Sequence, residues 1–475
     1  MKAFGAIAAL TVRHAVRSHI FQLLLGVLLL CVVLIPGTAG DSTAAGFIQV
    51  SLLYSLSTVL LVLALSSVWL GCFVMCHDVD SYQLHMVVTK PVSRVTVWLG
   101  KFTGVLAINT LLLLVSAAAV YGIVMWKFSE AEFTEEDRTR AQNEVLVGRR
   151  VYLPDAKDID HITRLSINEK HARMRAAGQT LPDDSPAAKE KEYMEVRRQA
   201  EALQGEVIQG NTKIWRFSGL PADLQEPLYL RYRSYVGRIH HEGQRMTNGM
   251  WAVRVPLRKE EKGNEFQAGK TLGFQTFWTA LSAQPESIRT GVFNEKTLRG
   301  EWRLVAPDGT LEVGFQNLDP RGQKLFFQPA DGPKILLKVA GFGENYCRCI
   351  LVMFLELVIL TGLACAAAAF LTMPTAIFTV ISYMLFGSFA SYMAETGVSG
   401  GAADYIGYYV GKLILIVVIP LQKFSVTEMV SQGELIEMSF IGGMILSYLI
   451  LRALPLFLFG IWMYRRREMG LVIRK

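Results

Sequence analysis

Apolar and polar positions divide the chain into three blocks. Long apolar runs fill residues 1–126 and 346–475, and a polar stretch lies between them. Six runs have the ~20 mostly apolar residues that a helix needs to cross a bilayer. They cover residues 20–37, 47–75, 102–126, 346–371, 375–394 and 439–464. The pattern therefore predicts an α-helical polytopic membrane protein of about six transmembrane helices, interrupted by a large insertion.

Two further apolar segments accompany these runs. Residues 2–19 mix apolar and basic positions at helical spacing, which predicts a short amphipathic helix at a membrane surface. Residues 405–421 are apolar, but Lys412 lies within them and Pro420 breaks them. We therefore expect an incomplete crossing there, either re-entrant or interfacial. A seventh span at this place is the alternative.

The insertion, residues 127–345, changes its pattern part of the way along. Residues 127–210 are strongly charged at helical spacing, and Thr134 is suited to begin a helix as its N-cap. Residues 211–345 alternate apolar and polar side chains, which is the period of a half-buried strand. The first part is therefore predicted to be helical and the second to be a β-sandwich.

A turn signal supports the second part of this prediction. Pro307-Asp308-Gly309 combines three residues that favour tight turns, and alternating segments lie on either side of it. We expect a hairpin that joins residues 302–304 to residues 311–315. The complete prediction has three parts: 1–126, with three spans; 127–345, an α+β domain; and 346–475, with three spans and a tail.

The distribution of charge predicts an orientation. Most of the 48 Lys and Arg and of the 41 Asp and Glu lie in the insertion. Most of the remaining basic residues cluster in short segments beside the predicted spans, as in Arg465-Arg466-Arg467. Such segments mark the cytoplasmic side of a membrane. Both termini are therefore expected in the cytoplasm and the insertion outside it. The net charge of +7 follows from these flanks, and we expect a lipid bilayer but no nucleic acid as a partner.

The residues present no arrangement typical of an enzyme. The stretch from Gly263 to Thr271 resembles a phosphate-binding loop, but five residues separate its glycines where the motif needs four. Cys72 and Cys76 lack the spacing of a zinc site. All six cysteines lie in or beside apolar runs. We therefore expect no catalytic, cofactor or metal site in this chain.

The loop between the second and third predicted spans is the most specific segment. Two acids end the second span, a short segment with an apolar face follows, and a proline and an arginine lead into the third span. The side chains in this order are Asp78, Asp80, Leu84, Val87, Val88, Pro91 and Arg94. Charges at the cytoplasmic side explain the acids and the arginine, but they do not explain the apolar face between them.

This order resembles the signature of type-2 ABC transporter permeases, in particular the group that includes the nitrous-oxide-reductase maturation and gliding-motility permeases. Those proteins carry an acid-x-acid, a short apolar helix, Pro-x-Ser-Arg and then Gly-Lys at the start of the next span, here Gly100-Lys101. The amphipathic N-terminal segment and the Arg-rich tail are also similar. The resemblance covers residues 1–126 and 345–475. The insertion departs from the short outer loops of the family.

The resemblance implies a permease subunit without its own ATPase site. Two permease chains, identical or different, would pair, and each would dock on a separate ATP-binding subunit that holds ATP and Mg. Residues 81–90 would form the coupling helix, with Leu84, Val87 and Val88 in apolar contact with that subunit. Asp78, Asp80 and Arg94 would orient it by charge. The expected activity is transport, in the direction of export, across a bacterial inner membrane.

The main alternative is a membrane-anchored sensor or scaffold whose β-sandwich binds a glycan or a protein. Such a protein needs spans, but it has no use for a coupling segment. An ATP-binding cassette subunit encoded beside this chain would favour transport.

Two charged residues fall inside predicted spans. Glu356 lies in the fourth span and Arg452 in the last. At ~1.5 Å rise per residue their depths differ by about 5 Å. An isolated charge near the bilayer centre is costly, so such residues normally face the protein interior. We predict that the two interact, directly or through water, along the translocation path. Independent solvation, with Arg452 reaching to the membrane surface, is the alternative.

Overall fold

The chain divides into two compact units. The computed structural model describes residues 2–38, 43–80, 92–130, 133–155, 159–178, 189, 192–197, 199, 205–222, 224, 226–236, 246–256, 270–271, 274–298, 304–328, 331–395 and 402–466. One unit, here the helical unit, combines Met1–Gly148 with Ala340–Lys475. The other, here the sheet unit, is Arg149–Val339.

In its described residues, the helical unit consists mainly of α-helices, with one 3-10 helix and one π-helix. The 3-10 helix is Leu421–Phe424 and the π-helix is Ile445–Ala453. The α-helices are α1 Lys2–Arg17, α2 His19–Thr38, α3 Ala44–Asp80, α4 Arg94–Glu130, α5 Glu135–Glu144, α7 Phe342–Ala368, α8 Met373–Glu395, α9 Ala402–Val417, α10 Thr427–Ser431, α11 Met438–Met444 and α12 Leu454–Arg466; α6, Ile159–Ala176, belongs to the sheet unit.

Among the described residues, five helices are long and apolar enough to cross a membrane. They are Ala44–His77, Arg94–Glu130, Phe342–Ala368, Met373–Tyr392 and Met438–Arg466. Five of the six predicted runs fall on these helices. The remaining run lies in α2, which is bent by 70° from α1. The apolar segment at 405–421 belongs to a second bent pair, Ile406–Val417 with Leu421–Ser431, at 63°. Counting each bent pair as one span gives up to seven.

Small residues bring the helices of this unit close together. A Cβ atom on Gly104 of α4 would lie 2.7 Å from the Cβ of Thr11 on α1. A Cβ atom on Gly71 of α3 would lie 2.7 Å from the Cβ of Ala364 on α7. Glycine at such positions lets two helix backbones approach closely, which is a common way to pack helices in membranes. As a result, α3, α4 and α7 form the centre of the unit, and α1 lies against α4.

The sheet unit contains three sheets in its described part. The larger two have the strand orders β1-β13-β4-β10 and β3-β11-β6-β8-β7, with β9 also paired to β6; the smallest is β2-β12-β5. The strands are β1 Val147–Tyr152, β2 Glu206–Val207, β3 Thr212–Phe217, β4 Leu228–Arg233, β5 Tyr235–Val236, β6 Met246–Pro256, β7 Lys270–Thr271, β8 Phe274–Ala280, β9 Glu286–Arg289, β10 Phe293–Leu298, β11 Leu311–Asn317, β12 Leu325–Phe326 and β13 Lys334–Gly341.

The two larger sheets bury residues in one apolar core. Leu230 of β4 lies opposite Ile335 of β13 in one sheet, and Val253 of β6 lies opposite Val313 of β11 in the other. All four side chains belong to the same buried cluster. Tyr232 also lies in this cluster, and burial raises the pKa of its hydroxyl. The alternation in the sequence therefore reflects faces that pack inward.

The prediction that residues 127–210 are helical is wrong for two segments, β1 and the short strand β2 at Glu206–Val207. α5 and α6 are helices, and Thr134 accepts a hydrogen bond from the Asp137 backbone N–H as the N-cap of α5. Residues 147–152, however, form strand β1 beside β13. Arg149 of β1 is buried, because it pairs with Glu295 at 2.6 Å and lies over the ring of Tyr229. This ion pair lets a charged segment become a buried strand.

The predicted turn forms, but the predicted hairpin does not. Gly309 has φ 75°, in the left-handed region, and its N–H donates to the Ala306 carbonyl at 2.9 Å. Strand β11, which follows, pairs with β3 on one edge and with β6 on the other. Both edges of β11 are therefore occupied, and residues 304–306 have no edge on which to continue as its hairpin partner.

A charged contact of α6 gives a testable pH dependence. Lys170 and His171 on α6 lie 2.8 Å and 3.0 Å from the two carboxylate oxygens of Glu192. Burial acts to raise the pKa of Glu192, but the hydrogen bonds and charges of these partners outweigh it, so the pKa lies below its ordinary 4.5. The contact therefore stabilises the fold fully above pH 4.5 and is lost as the pH falls through the lowered pKa.

We expect Glu192→Gln to reduce the hydrogen-exchange protection of α6 at neutral pH. The difference between wild type and variant should disappear in acid, where Glu192 is protonated in both the folded and the unfolded chain. Exchange measured on the full chain by mass spectrometry checks this. Equal protection of α6 in the two proteins at neutral pH would contradict it.

Candidate functional site in the helical unit

The predicted coupling segment lies between α3 and α4. Leu84, Val87, Val88 and Pro91 lie outside the described residues. Asp78 and Asp80 fall in the last turn of α3. The described residues on its other side begin at residue 92, just before the start of α4. The contacts below therefore concern the residues that flank the segment.

The exit from this segment is held by two contacts. The Ser93 Oγ accepts a hydrogen bond from the Thr96 N–H at 3.1 Å, as the N-cap of α4. The Arg94 guanidinium donates to the Arg465 carbonyl, at the end of α12, at 2.8 Å. The last carbonyls of a helix lack partners within it, and a cation there also opposes the helix dipole. Arg94 therefore ties the start of α4 to the end of the last helix.

Deeper in α4, two side chains connect this helix to α3 and α7. The Lys101 ammonium is buried and donates to the Val74 carbonyl of α3 at 2.7 Å. The Trp98 Nε1 donates to the Cys365 carbonyl of α7 at 3.3 Å. The start of α4 is therefore hydrogen-bonded to three other helices: α12, α7 and α3.

A buried amide lies further along α4. Asn109 accepts a hydrogen bond from the Ser66 hydroxyl at 2.9 Å and donates to the Ser67 hydroxyl at 3.0 Å. Hydrogen bonds between membrane helices average about 0.6 kcal/mol. These two therefore fix the register of α3 against α4 more than they add stability.

Asn109 with Ser66 and Ser67 is one polar centre of this unit, and the break after α9 is a second. Helix α9 ends at Val417, and the chain then turns into the short 3-10 helix. The Tyr383 hydroxyl of α8 donates to the Val417 carbonyl at 3.1 Å and accepts from the Ile419 N–H at 2.9 Å. The Arg452 guanidinium donates to the Val418 carbonyl at 3.3 Å. Two side chains thus satisfy backbone groups that the break leaves open.

Arg452 therefore has a different partner from the one predicted. It lies in the π-helix, over the ring of Tyr448 at 5.2 Å, and among the described residues no ion pair joins it to Glu356. The physical reason is the helix break: its open carbonyls at the negative end of a helix dipole attract a cation without requiring an ionised acid.

Glu356 is a buried residue of α7. Its side chain is 6% exposed, and its Oε2 has no hydrogen-bond partner among the described residues. Direct contact with Arg452, one of the two forms of interaction predicted above, is therefore not formed, and interaction through water stays a prediction. The contacts of Phe457 with Gly362 and of Gly460 with Ala366 make α12 parallel to α7, so Arg452 still lies near the level of Glu356.

The chain that follows the break is held against the start of α7. The Asn345 side chain donates to the Glu434 carbonyl at 2.8 Å and accepts from the Ile436 N–H at 2.9 Å. The Arg348 guanidinium donates to the Ile436 carbonyl at 2.9 Å. The bonds of Tyr383 and Arg452 hold residues 417–419, and these three bonds hold residues 434–436. The segment between them is therefore anchored at both ends.

Comparison of the chain with protein-family models, with curated proteins and with solved structures finds no match. Functional interpretation therefore depends on the residues of this chain. Some of those that hold the two polar centres were not singled out in the sequence. Asn109 had a usable signal, as a lone amide in an apolar run. Tyr383 had none, because a tyrosine in a span is ordinary and its partner is a backbone group.

Proposed function

We propose that the chain is the membrane-spanning permease subunit of a type-2 ABC transporter that moves a substrate outward across a bacterial inner membrane. The order of features between α3 and α4 carries this proposal. Two acids end one long apolar helix, an apolar segment and Pro91-x-Ser93 follow, and Arg94 and Gly100-Lys101 lie at the start of the next. That order suits a cytoplasmic segment that inserts into a groove of another protein.

The flanks of the segment support a mechanical role. An ATP-binding subunit that holds ATP and Mg would close on nucleotide and push on residues 81–90. Arg94, Trp98 and Lys101 bond the start of α4 to α12, α7 and α3. The push would therefore reach several helices together rather than bend one of them. Two such permease chains, identical or different, would form the transport path between or within them.

The proposed topology places both termini and residues 78–101 in the cytoplasm and the sheet unit outside. Six spans, with the broken segment of α9 and α10 as a re-entrant element, satisfy this arrangement. The sheet unit would then be a β-sandwich that meets the substrate or a partner outside the membrane. A sensor or scaffold that binds a glycan or protein through this unit is the competing function, and it needs no ATP-binding subunit.

The test pairs two substitutions with a control of equal charge. Leu84→Asp with Val87→Asp puts two carboxylates on the predicted apolar face. Tyr82→Asp with Thr89→Asp puts them on the opposite face of a helix with 3.6 residues per turn. Burial of a Leu or Val side chain is worth about 1.5–3 kcal/mol. The first pair should therefore weaken binding of the ATP-binding subunit by about tenfold or more.

Binding is measured by co-purification and titration with the ATP-binding subunit encoded beside this chain, together with the ATPase rate of the complex in liposomes. We expect the first pair to lose both the complex and the effect of the permease on ATP hydrolysis, and the second pair to keep them. Equal behaviour of the two pairs would refute the coupling role. If the wild-type chain binds no such subunit, the sensor or scaffold function is favoured.

A further inference from the structure

Glu356 is surrounded by apolar side chains of its own helix. On the same face of α7, the positions three and four residues away on either side are Val352, Met353, Ile359 and Leu360. Each of these is 0% exposed. Its neighbours along this face of α7 are therefore all apolar and buried, and its Oε2 has no hydrogen-bond partner among the described residues.

The cations of the neighbouring helices are engaged elsewhere. Lys101 of α4 donates to Val74, and Arg452 of the π-helix donates to Val418. α3 has no titratable side chain from residue 55 to residue 71, and α12 has none from residue 454 to residue 463. Among the titratable groups of the other elements packed against α7, Cys72 of α3 contacts Ala364, and Tyr121 of α4 contacts Phe342 and Tyr346, toward the two ends of α7. The four that remain to be considered are Tyr383, Lys423, Glu428 and Tyr448.

These four groups do not compensate a charge on Glu356 either. The Tyr383 hydroxyl bonds to the backbone on both sides of the helix break. Lys423 and Glu428 have exposed side chains, and Glu428 accepts a hydrogen bond from Gln432. Tyr448 lies under the Arg452 guanidinium. An ionised carboxylate at Glu356 would therefore be a buried charge without a partner, which is far less favourable than the neutral acid.

We propose that Glu356 is a proton-binding site of the helical unit. The carboxyl group holds a proton while α7 is packed against its neighbours and releases it when they separate and water enters. On release the O–H bond breaks, its electron pair stays on the carboxylate, and the proton passes to a water molecule. Repacking reverses the step. The ligand is a proton from water, and the proposal does not depend on the transport activity proposed above.

Infrared spectroscopy of the full chain in lipid tests the protonation state directly. A protonated carboxylic acid has a carbonyl stretch that a carboxylate lacks. We expect this band in the wild type at neutral pH, shifted by labelling with carbon-13 glutamate, and absent from Glu356→Gln. Glu428→Gln is the matched control, because it removes an exposed glutamate from an element packed against α7, and it should keep the band. A band that persists in Glu356→Gln, or no band in the wild type, would overturn the proposal.

The pH dependence of packing gives a second measurement. One proton bound only in the packed state lowers the ratio of packed to open molecules by about tenfold for each pH unit above the pKa of the open state. We expect this decline in the wild type and in Glu428→Gln, beginning in mild acid, where a hydrated glutamate titrates. Thermal unfolding of the full chain in lipid from mildly acid to alkaline pH measures it. Glu356→Gln should lower the slope of stability against pH by the contribution of one bound proton. Equal slopes in Glu356→Gln and wild type would contradict the proposal.

Discussion

Replacement of Arg452 by methionine is expected to loosen the helix break after α9. Methionine fills a similar length but donates no hydrogen bond, so the Val418 carbonyl would lose its partner at the end of a helix. A hydrogen bond to a charged group contributes about 1.5–3 kcal/mol. We expect a destabilisation of this size, with the largest loss of hydrogen-exchange protection in residues 417–424. Thermal unfolding and exchange of the full chain in lipid measure both effects.

Two further substitutions make this result specific. Arg452→Lys keeps a cation near the negative end of the α9 dipole and should recover part of the loss. Arg466→Met removes an exposed arginine that lies over Trp462 at 4.2 Å, and such a contact is worth about 0.5–1 kcal/mol at an exposed site. If Arg452→Met were no more harmful than Arg466→Met, Arg452 would not be holding the break.

Gly460→Ala should separate the last helix from α7, although alanine is the better helix former. A Cβ atom on Gly460 would lie 2.5 Å from both the Cα and the Cβ of Ala366. The Ala366 backbone cannot move aside as a flexible side chain can, so the two helices must part. Overpacking of this kind costs about 1–3 kcal/mol. We expect a lower melting temperature and weaker packing of the π-helix and α12.

The matched control lies in the same apolar segment. A Cβ atom on Gly442 of α11 would meet nothing within 4 Å. Gly442→Ala should therefore show only the higher helix propensity of alanine, which favours the folded state by up to about 1 kcal/mol. The two substitutions are chemically identical and opposite in expected sign. A stabilising Gly460→Ala would mean that α12 and α7 are packed less closely than described.

The apolar pattern predicted the long helices because their length and composition follow from the thickness of a bilayer. Five of the six predicted runs coincide with helices long and apolar enough to cross a membrane. The remaining run lies in α2, and the 70° bend before it falls where the amphipathic segment 2–19 gives way to the apolar run. Alternation likewise predicted that strands fill the second half of the insertion.

The errors of the sequence-based prediction lie at charged residues, because their partners are distant in the chain or belong to the backbone. β1 carries Arg149 and Arg150 among its six residues, so it was assigned to a charged helical region. Its burial depends on Glu295, more than a hundred residues away in the chain. The partner of Arg452 was missed for a related reason. The sequence does not show which backbone carbonyls a helix break leaves without a partner. It does show Glu356, and the opposite charges of Glu356 and Arg452 at similar depths led to the predicted pair.

The chain passes into the sheet unit and out of it through two neighbouring strands. β1 follows α5, β13 precedes α7, and the two strands are adjacent in one sheet. Chain ends that lie side by side are the usual condition for inserting one domain into another. Evolution could therefore lengthen, replace or delete everything between β1 and β13 without pulling α5 away from α7. Relatives of this protein should accordingly differ most in this unit, down to a short turn in its place, while the helices on either side keep their order.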